Sequence, residues 1–97
     1  MSAVETVNPK IKSTLDAAAL CKMADRGQIT GGILDGPLAF DTAVSRKAAA
    51  IKKLVSPVSG NADILVVPDL ESGNMLAKQL EYLGGAQLAG IALAGRK

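Results

Sequence analysis

The sequence predicts an α/β layered fold with a largely parallel sheet, and three observations carry that reading. Apolar runs and amphipathic stretches alternate along the 97 residues in the order strand, helix, strand, helix, strand, helix, strand. The clearest run, Ala62-Asp63-Ile64-Leu65-Val66-Val67, is apolar at five of its six positions, as a strand covered on both faces would be. Apolar residues make up 48% of the chain while Phe40 and Tyr82 are its only aromatics, so the core is expected to be aliphatic.

Residues 2–7 read as the tail of a strand closed by Asn8-Pro9. A helix is expected over 14–26, capped by Ser13 or Thr14 and stopped by Gly27, with Ala17, Leu20, Cys21 and Ala24 forming one apolar stripe. Gly31-Gly32-Ile33-Leu34 is a short expected strand, and Asp35-Gly36-Pro37 forces a turn after it. A second helix is expected over 42–54, capped by Asp41 or Ser45, with Val44, Ala48, Ile51 and Val55 on its inner face. Ser56 to Asn61 is a loop. Pro68 ends the strand at 62–67, and a third helix, over 74–83, should bury Leu76, Ala77, Leu80 and Leu83 before Gly84-Gly85 stops it. Residues 87–94 read as a last buried strand. Because this order begins and ends at apparent strands, the chain reads as part of a larger unit, with sheet edges left open to self-association.

Several chemistries are excluded by composition. The sequence has no His, so neither a Ser-His-Asp nor a Cys-His machine can be assembled from it. The single Cys21 cannot form an internal disulfide or, without His, join a zinc-finger cluster. A net charge of +2, evenly spread, gives no nucleic-acid footprint. No apolar run reaches the ~18 residues of a membrane span and no signal pattern opens the chain, which points to a reducing cytoplasm.

Two glycine patterns fail as phosphate loops. Gly31-x4-Gly36 is followed by Pro37-Leu38 rather than Lys and a hydroxyl residue, and Gly90-x4-Gly95 by Arg96-Lys97. No G-x-G-x-x-G occurs, which removes the dinucleotide reading. The most informative stretch is Val66 to Asn74, which joins the C-terminal end of a buried strand to a helix start, where open α/β sheets bind ligands. There Ser72 offers a hydroxyl, Asn74 an amide, and Gly73 room for close approach of a ligand, while free helix N–H groups favour an anion. The same residues also read as an ordinary cap, with Asp69 and Glu71 opposing an anion. Asp35, Gly36 and Pro37 form the second candidate, either presenting a carboxylate and amides to a cleft or closing a tight turn on themselves. Cys21 reads as a small core residue. Arg46, Lys47, Lys52 and Lys53 read as a solvated helix face, with an anionic ligand such as the nucleotide end of coenzyme A as the minority alternative.

Four segments resemble the phosphate acetyltransferase and phosphate butyryltransferase family: Ala18 to Gly27, Gly32-Ile33-Leu34-Asp35-Gly36-Pro37-Leu38-Ala39-Phe40-Asp41, Ala62 to Asn74, and Ala77-Lys78-Gln79-Leu80. Their D-G-P-L-x-F-D and P-D-L-x-[SA]-G-N cores are specific, and they follow the family's order. The resemblance implies a fragment of an α/β/α fold of the isocitrate/isopropylmalate dehydrogenase type, with residues 1–97 as a partial phosphate acyltransferase domain. It also implies a cytoplasmic homodimer with an interdomain active site, in a branch sometimes fused to an enoyl-CoA hydratase-like domain. The implied reaction converts acyl-CoA and phosphate to acyl phosphate and CoA, reversibly. The CoA thiol attacks the acyl phosphate directly, with no metal and no tightly bound cofactor; coenzyme A and acyl-CoA are substrates, and neither nucleic acid nor membrane is a partner. On this reading Ser72, Gly73 and Asn74 contact phosphate or acyl phosphate, and Asp35, Gly36 and Pro37 shape the cleft. The family's Ser-Arg motif and its acidic companion follow the strand matching 87–94 and lie outside this sequence, as does the first half of the domain. Catalytic residues are therefore not assigned, Arg96 is not one of them, and the chain alone is expected to be inactive or nearly so. A non-catalytic α/β module that folds against a partner is the rival reading, and a metal-dependent decarboxylating dehydrogenase is a third, disfavoured by the lack of any cofactor motif.

Overall fold

A computed structural model of the chain describes residues 1–93. It contains four helices: α1 (Lys12–Asp25), α2 (Phe40–Val44), α3 (Arg46–Ile51) and α4 (Leu70–Tyr82). Among the described residues no strand is formed. The expected parallel sheet is therefore absent from them, because a strand exists only through a ladder of hydrogen bonds and these segments make isolated bonds but no ladder. Residues 3–6 turn through a series of bends, 31–36 are irregular, and 87–93 are exposed without regular structure; residue 94 lies outside the described residues. The 62–67 segment keeps a strand-like alternation, with Ile64 (83%) and Val66 (61%) exposed and Leu65 and Val67 half-buried. It is covered on one face, not the expected two.

Helix α1 begins two residues before the expected start, and neither Ser13 nor Thr14 caps it: the N-cap is Ile11, which makes no side-chain cap hydrogen bond. Thr14 instead sits in the first turn, fully buried. Its Oγ1 accepts from Asn8 N at 2.9 Å and lies within donating distance of the carbonyl oxygens of Asn8 (2.9 Å) and Ile11 (2.7 Å). The C-terminal end follows the sequence closely. Gly27 adopts φ +77°, its N–H donates to Ala24 O at 3.1 Å, and Gln28 N donates to Met23 O at 2.8 Å. Those two bonds close a Schellman motif, for which a residue with no Cβ is the favoured one.

The single helix expected over 42–54 is two short ones. Ser45 (φ −114°, ψ 115°) leaves the helical region, ends α2 and caps α3, its Oγ accepting from Ala48 N at 3.1 Å. Serine competes well for backbone donors, which is why it divides the segment here. The division rotates the buried face. Ala43 and Ala49 are enclosed, whereas Val44, Ile51 and Val55, which the helical pattern places inward, are exposed. The following loop folds back onto α2: Gly60 N donates to Thr42 O at 2.8 Å and Ala62 N to Ala43 O at 3.1 Å. Gly60 has φ +76°, and a Cβ there would lie 2.7 Å from Arg46 Cα, so both conformation and space require glycine.

Thr42 is the second fully buried side chain. Its hydroxyl donates to Glu5 Oε2 at 2.9 Å, and the same carboxylate oxygen accepts from Ala39 N at 3.3 Å, the N-cap position of α2. Lys52 Nζ completes the cluster, 3.2 Å from Glu5 Oε2 and 3.5 Å from Asp41 Oδ2. Desolvation pushes the Glu5 carboxyl upward, but hydrogen bonds from Thr42, Lys52 and Ala39 outweigh it and hold the group below the ordinary Glu value. The stability this supplies is complete above the unfolded pKa and is lost as pH falls through the lower folded one.

The accessible surface is 7632 Å², against roughly 5,200 Å² expected for a folded monomer of this mass. Val55, Ile64, Leu70, Leu83, Ile91 and Leu93 are among the large apolar side chains that the described fold leaves exposed. No helix among the described residues is long and apolar enough to cross a membrane.

Thr42→Val, which keeps shape and removes the hydroxyl, should destabilise the chain by about 1–2 kcal/mol because the Glu5 carboxylate loses a donor in a partly desolvated place. Thr42→Ser should retain most of that stability. Urea unfolding of the three proteins at neutral pH reads the difference, and Glu5→Gln should flatten the acid limb of the stability profile.

Candidate functional site

A groove of about 610 Å³ opens between α1 and the two segments expected to be strands, 31–34 and 62–67. The apolar stripe of α1 faces it through Ala17, Leu20 and Cys21, while Leu34 and Leu65 supply part of the opposite wall. Helix α1 and these two segments thus face one another across open space.

Asp35 and Gly36 stand at the lip of this groove, and Pro37 is buried beside Leu38. The turn closes partly on itself, since Asp35 Oδ1 accepts from Gly36 N at 2.9 Å. Gly36 packs on α1: a Cβ there would lie 3.2 Å from Ala17 Cβ. The Cys21 thiol points at Gly36 O, 3.8 Å away. Burial, then the charges of Asp35 and Asp25, push that thiol above its ordinary pKa, so it stays protonated at neutral pH. A protonated, half-buried thiol behaves as a small apolar residue rather than a nucleophile.

Ser72, Gly73 and Asn74 lie elsewhere, inside the first two turns of α4. The helix starts four residues before the expected Asn74, and its cap is Asp69, not Ser72. Asp69 Oδ1 accepts from Ser72 N at 2.8 Å, so Ser72 gives its N–H to the cap instead of acting as one. That hydrogen bond, with smaller help from the Ser72 side chain and the Glu71 backbone, holds the Asp69 carboxyl below the usual Asp value. Asn74 borders a separate shallow depression with Leu70, Glu71 and Met75. Leu76 and Ala77 are half-buried, but Leu80 and Leu83 are exposed and α4 buries no residue fully. The six residues that the sequence points to do not share one cavity; Pro68, at the foot of α4, is the link between the groove and the helix start.

Sequence reasoning misses Glu5, which it places in a strand. No local signal marks it, because its partners Ala39, Thr42 and Lys52 are 34, 37 and 47 residues away. Arg46 spends its guanidinium on Asn61 Oδ1 at 2.8 Å and Lys52 on Glu5, so two of the four cations on this face are already engaged. Among the described residues no group of three or more His, Cys, Asp or Glu side chains could hold a metal ion.

The groove runs alongside the 62–67 segment as far as Pro68, two residues before α4 begins. The chain belongs to the family described as Phosphate acetyl/butaryl transferase, whose model matches residues 1–97. A phosphate acetyltransferase of Rickettsia prowazekii is 72% identical over 96 residues, covering 99% of this chain and 27% of that protein. A probable phosphate butyryltransferase of Bacillus subtilis is 57% identical over 91 residues, covering 94% of this chain and 30% of that protein. Among solved structures, a branched-chain phosphotransacylase from Enterococcus faecalis V583 superposes with a TM-score of 0.75 at 39% identity, covering 87% of this chain and 30% of that one. The chain thus spans under a third of the length of each of these relatives.

The cap of α4 should respond to acid in a defined direction. Asp69 is depressed, so its contribution is full above the ordinary Asp range and is lost as pH falls through the lower folded value. The Ser72 amide resonance should titrate with that midpoint in the native chain and stay flat in Asp69→Asn, which keeps the acceptor oxygen without the charge.

Proposed function

We propose that the protein carrying this segment is a phosphate acyltransferase that interconverts acyl-CoA plus phosphate with acyl phosphate plus CoA. The observation that carries this reading is the family match over all 97 residues, supported by relatives named for acetyl and butyryl transfer. The acyl group is a short one on the same grounds. Chemically, the CoA sulfur forms a bond to the acyl carbon, the bond from that carbon to the phosphate oxygen breaks, and the thiol proton passes to a base. The developing oxyanion and the departing phosphate need cationic or N–H partners. On this reading the base and the cations come from the part of the relatives' length that this chain does not span.

This chain's own residues then bind and shape. Ser72 Oγ and the Asn74 amide serve as phosphate or acyl phosphate contacts at the mouth of α4, and Asp35, Gly36 and Pro37 form a lip of the cleft. In the complete domain the 31–34 and 62–67 segments belong to a largely parallel sheet of the isocitrate/isopropylmalate dehydrogenase type, and elements packed on its face cover Ile64 and Val66. Residues 1–97 are part of that domain, and the enzyme works as a cytoplasmic homodimer on small-molecule substrates, with coenzyme A as substrate rather than resident cofactor.

In the full-length enzyme, Asn74→Ala should slow phosphate-dependent turnover about ten- to a hundredfold, the value of a lost hydrogen bond to a charged ligand. It should leave the melting temperature nearly unchanged. Ser72→Ala should cost little stability, because the Asp69 cap accepts chiefly from the Ser72 main-chain N–H, which alanine keeps; a kinetic loss with an unchanged melting temperature is then a ligand effect. Steady-state kinetics with phosphate varied decides the matter: unchanged phosphate kinetics in both variants would remove α4 from the substrate site. The 97-residue chain by itself should give no phosphate-dependent release of CoA thiol from acetyl-CoA. Turnover near that of the full-length enzyme would overturn the assignment of base and cations to the remaining length.

A further inference from the structure

We propose that Gly73 is a positioning residue, which sets α4 against the 62–67 segment by leaving room for the Val67 side chain. Gly73 sits in the second turn of a regular helix and is not among the glycines with positive φ, so its backbone conformation is open to any residue. Glycine is nevertheless unfavourable at such a position, since Ala there would gain helix propensity. Space explains it. A Cβ on Gly73 would lie 2.7 Å from Val67 Cγ2, closer than real Cβ atoms approach carbon, yet 3.7 Å from Val67 Cβ, an ordinary contact. The conflict is with one methyl group.

The clash would fall where geometry matters. Val67 is the last residue before Pro68, and Gly73 N donates to Asp69 O at 3.1 Å, so a methyl group forced between Gly73 and Val67 would strain the turn through Pro68, Asp69 and Leu70. Ser72 and Asn74 flank Gly73 and move with it. An inserted methyl would push the helix start off the segment by several tenths of an ångström or more, and displacements on that scale degrade reactions that depend on placement. The inference rests on the proposed role of Ser72 and Asn74 in phosphate handling.

The test uses the full-length enzyme as wild type, Gly73→Ala, Val67→Ala and the double variant, with melting temperature and phosphate kinetics read for each. Gly73→Ala should melt lower and raise the phosphate KM about ten- to a hundredfold, with kcat affected less. Val67→Ala alone should leave that KM within about twofold, since it only removes methyls at a half-buried position. The double variant should return KM to the Val67→Ala value and melt no lower than Val67→Ala, because the gained helix propensity is then unopposed. An unchanged phosphate KM in Gly73→Ala, or a double variant as impaired as Gly73→Ala, overturns the proposal. Should Gly73→Ala fail to fold, the comparison of Val67→Ala with the double variant decides the same question: a double variant with a raised KM or a lower melting temperature than Val67→Ala overturns it. Asn74→Ala, measured alongside, judges the ligand-contact reading separately: rescue of KM by Val67→Ala concerns position, whatever Asn74 contributes.

Discussion

The described fold depends on two buried hydroxyls. Thr14 and Thr42 are its only fully enclosed large side chains, and both connect to the first nine residues, through Asn8 and Glu5 respectively. Thr42 alone ties three stretches together: its side chain holds Glu5, its main chain belongs to α2, and its carbonyl receives Gly60 from the returning loop. An aliphatic core with no aromatic at its centre excludes water without fixing direction. Hydrogen bonds do fix direction, and an unmade one in a buried place costs more than a made one gains. That asymmetry is why a hydroxyl, rather than a methyl, can set the register between segments far apart in sequence.

The same physics separates what the sequence discloses from what it hides. The C-terminal end of α1 is legible because a Schellman motif needs only local atoms and a residue suited to positive φ, and Gly27 announces both. The break at Ser45 is half legible: serine is a recognisable cap, while the apolar pattern through Val44, Ala48 and Ile51 argues for one continuous helix. Two local signals compete there, and periodicity points the wrong way. The strands are legible as tendencies only. Ile64 and Val66 alternate with Leu65 and Val67 as a strand would, but a ladder is a property of pairs, and pairing cannot be read from one segment.

For the site, the sequence discloses the loops and not their internal roles. An apolar run ending at Pro68 marks Val66 to Asn74, and a helix does start there. Which residue caps it depends on side-chain reach. Asp69 and Ser72 both suit a cap, and the carboxylate wins because it accepts from Ser72 N with a charged oxygen. Gly73 illustrates a second limit. Its lack of a side chain reads as room for a ligand, whereas the neighbour that uses the room is Val67, a contact visible only once the turn is folded.

The acidic cap also constrains how phosphate can be held at this helix. A helix N-terminus attracts anions through unpaired N–H groups, and its effective charge is about half a unit. Here Ser72 N is already satisfied by Asp69, and Glu71 adds a second carboxylate in the first turn. An arriving phosphate therefore meets two negative charges at a place that offers it about half a positive one, and the field alone is repulsive. Neutral donors such as the Ser72 hydroxyl and the Asn74 amide can orient a phosphate without attracting it. On the proposed function the attraction comes from cations outside α4; of the four on residues 46–53, Arg46 and Lys52 are already committed to Asn61 and to Glu5. On that same proposal, an acidic helix start disfavours free anions at this corner, and phosphate settles where cations from the rest of the domain converge on its oxygens. Under the proposed function, α4 supplies direction and the remaining length supplies charge, a division that suits a reversible transfer, because a phosphate held too tightly in the ground state slows the reaction from one side.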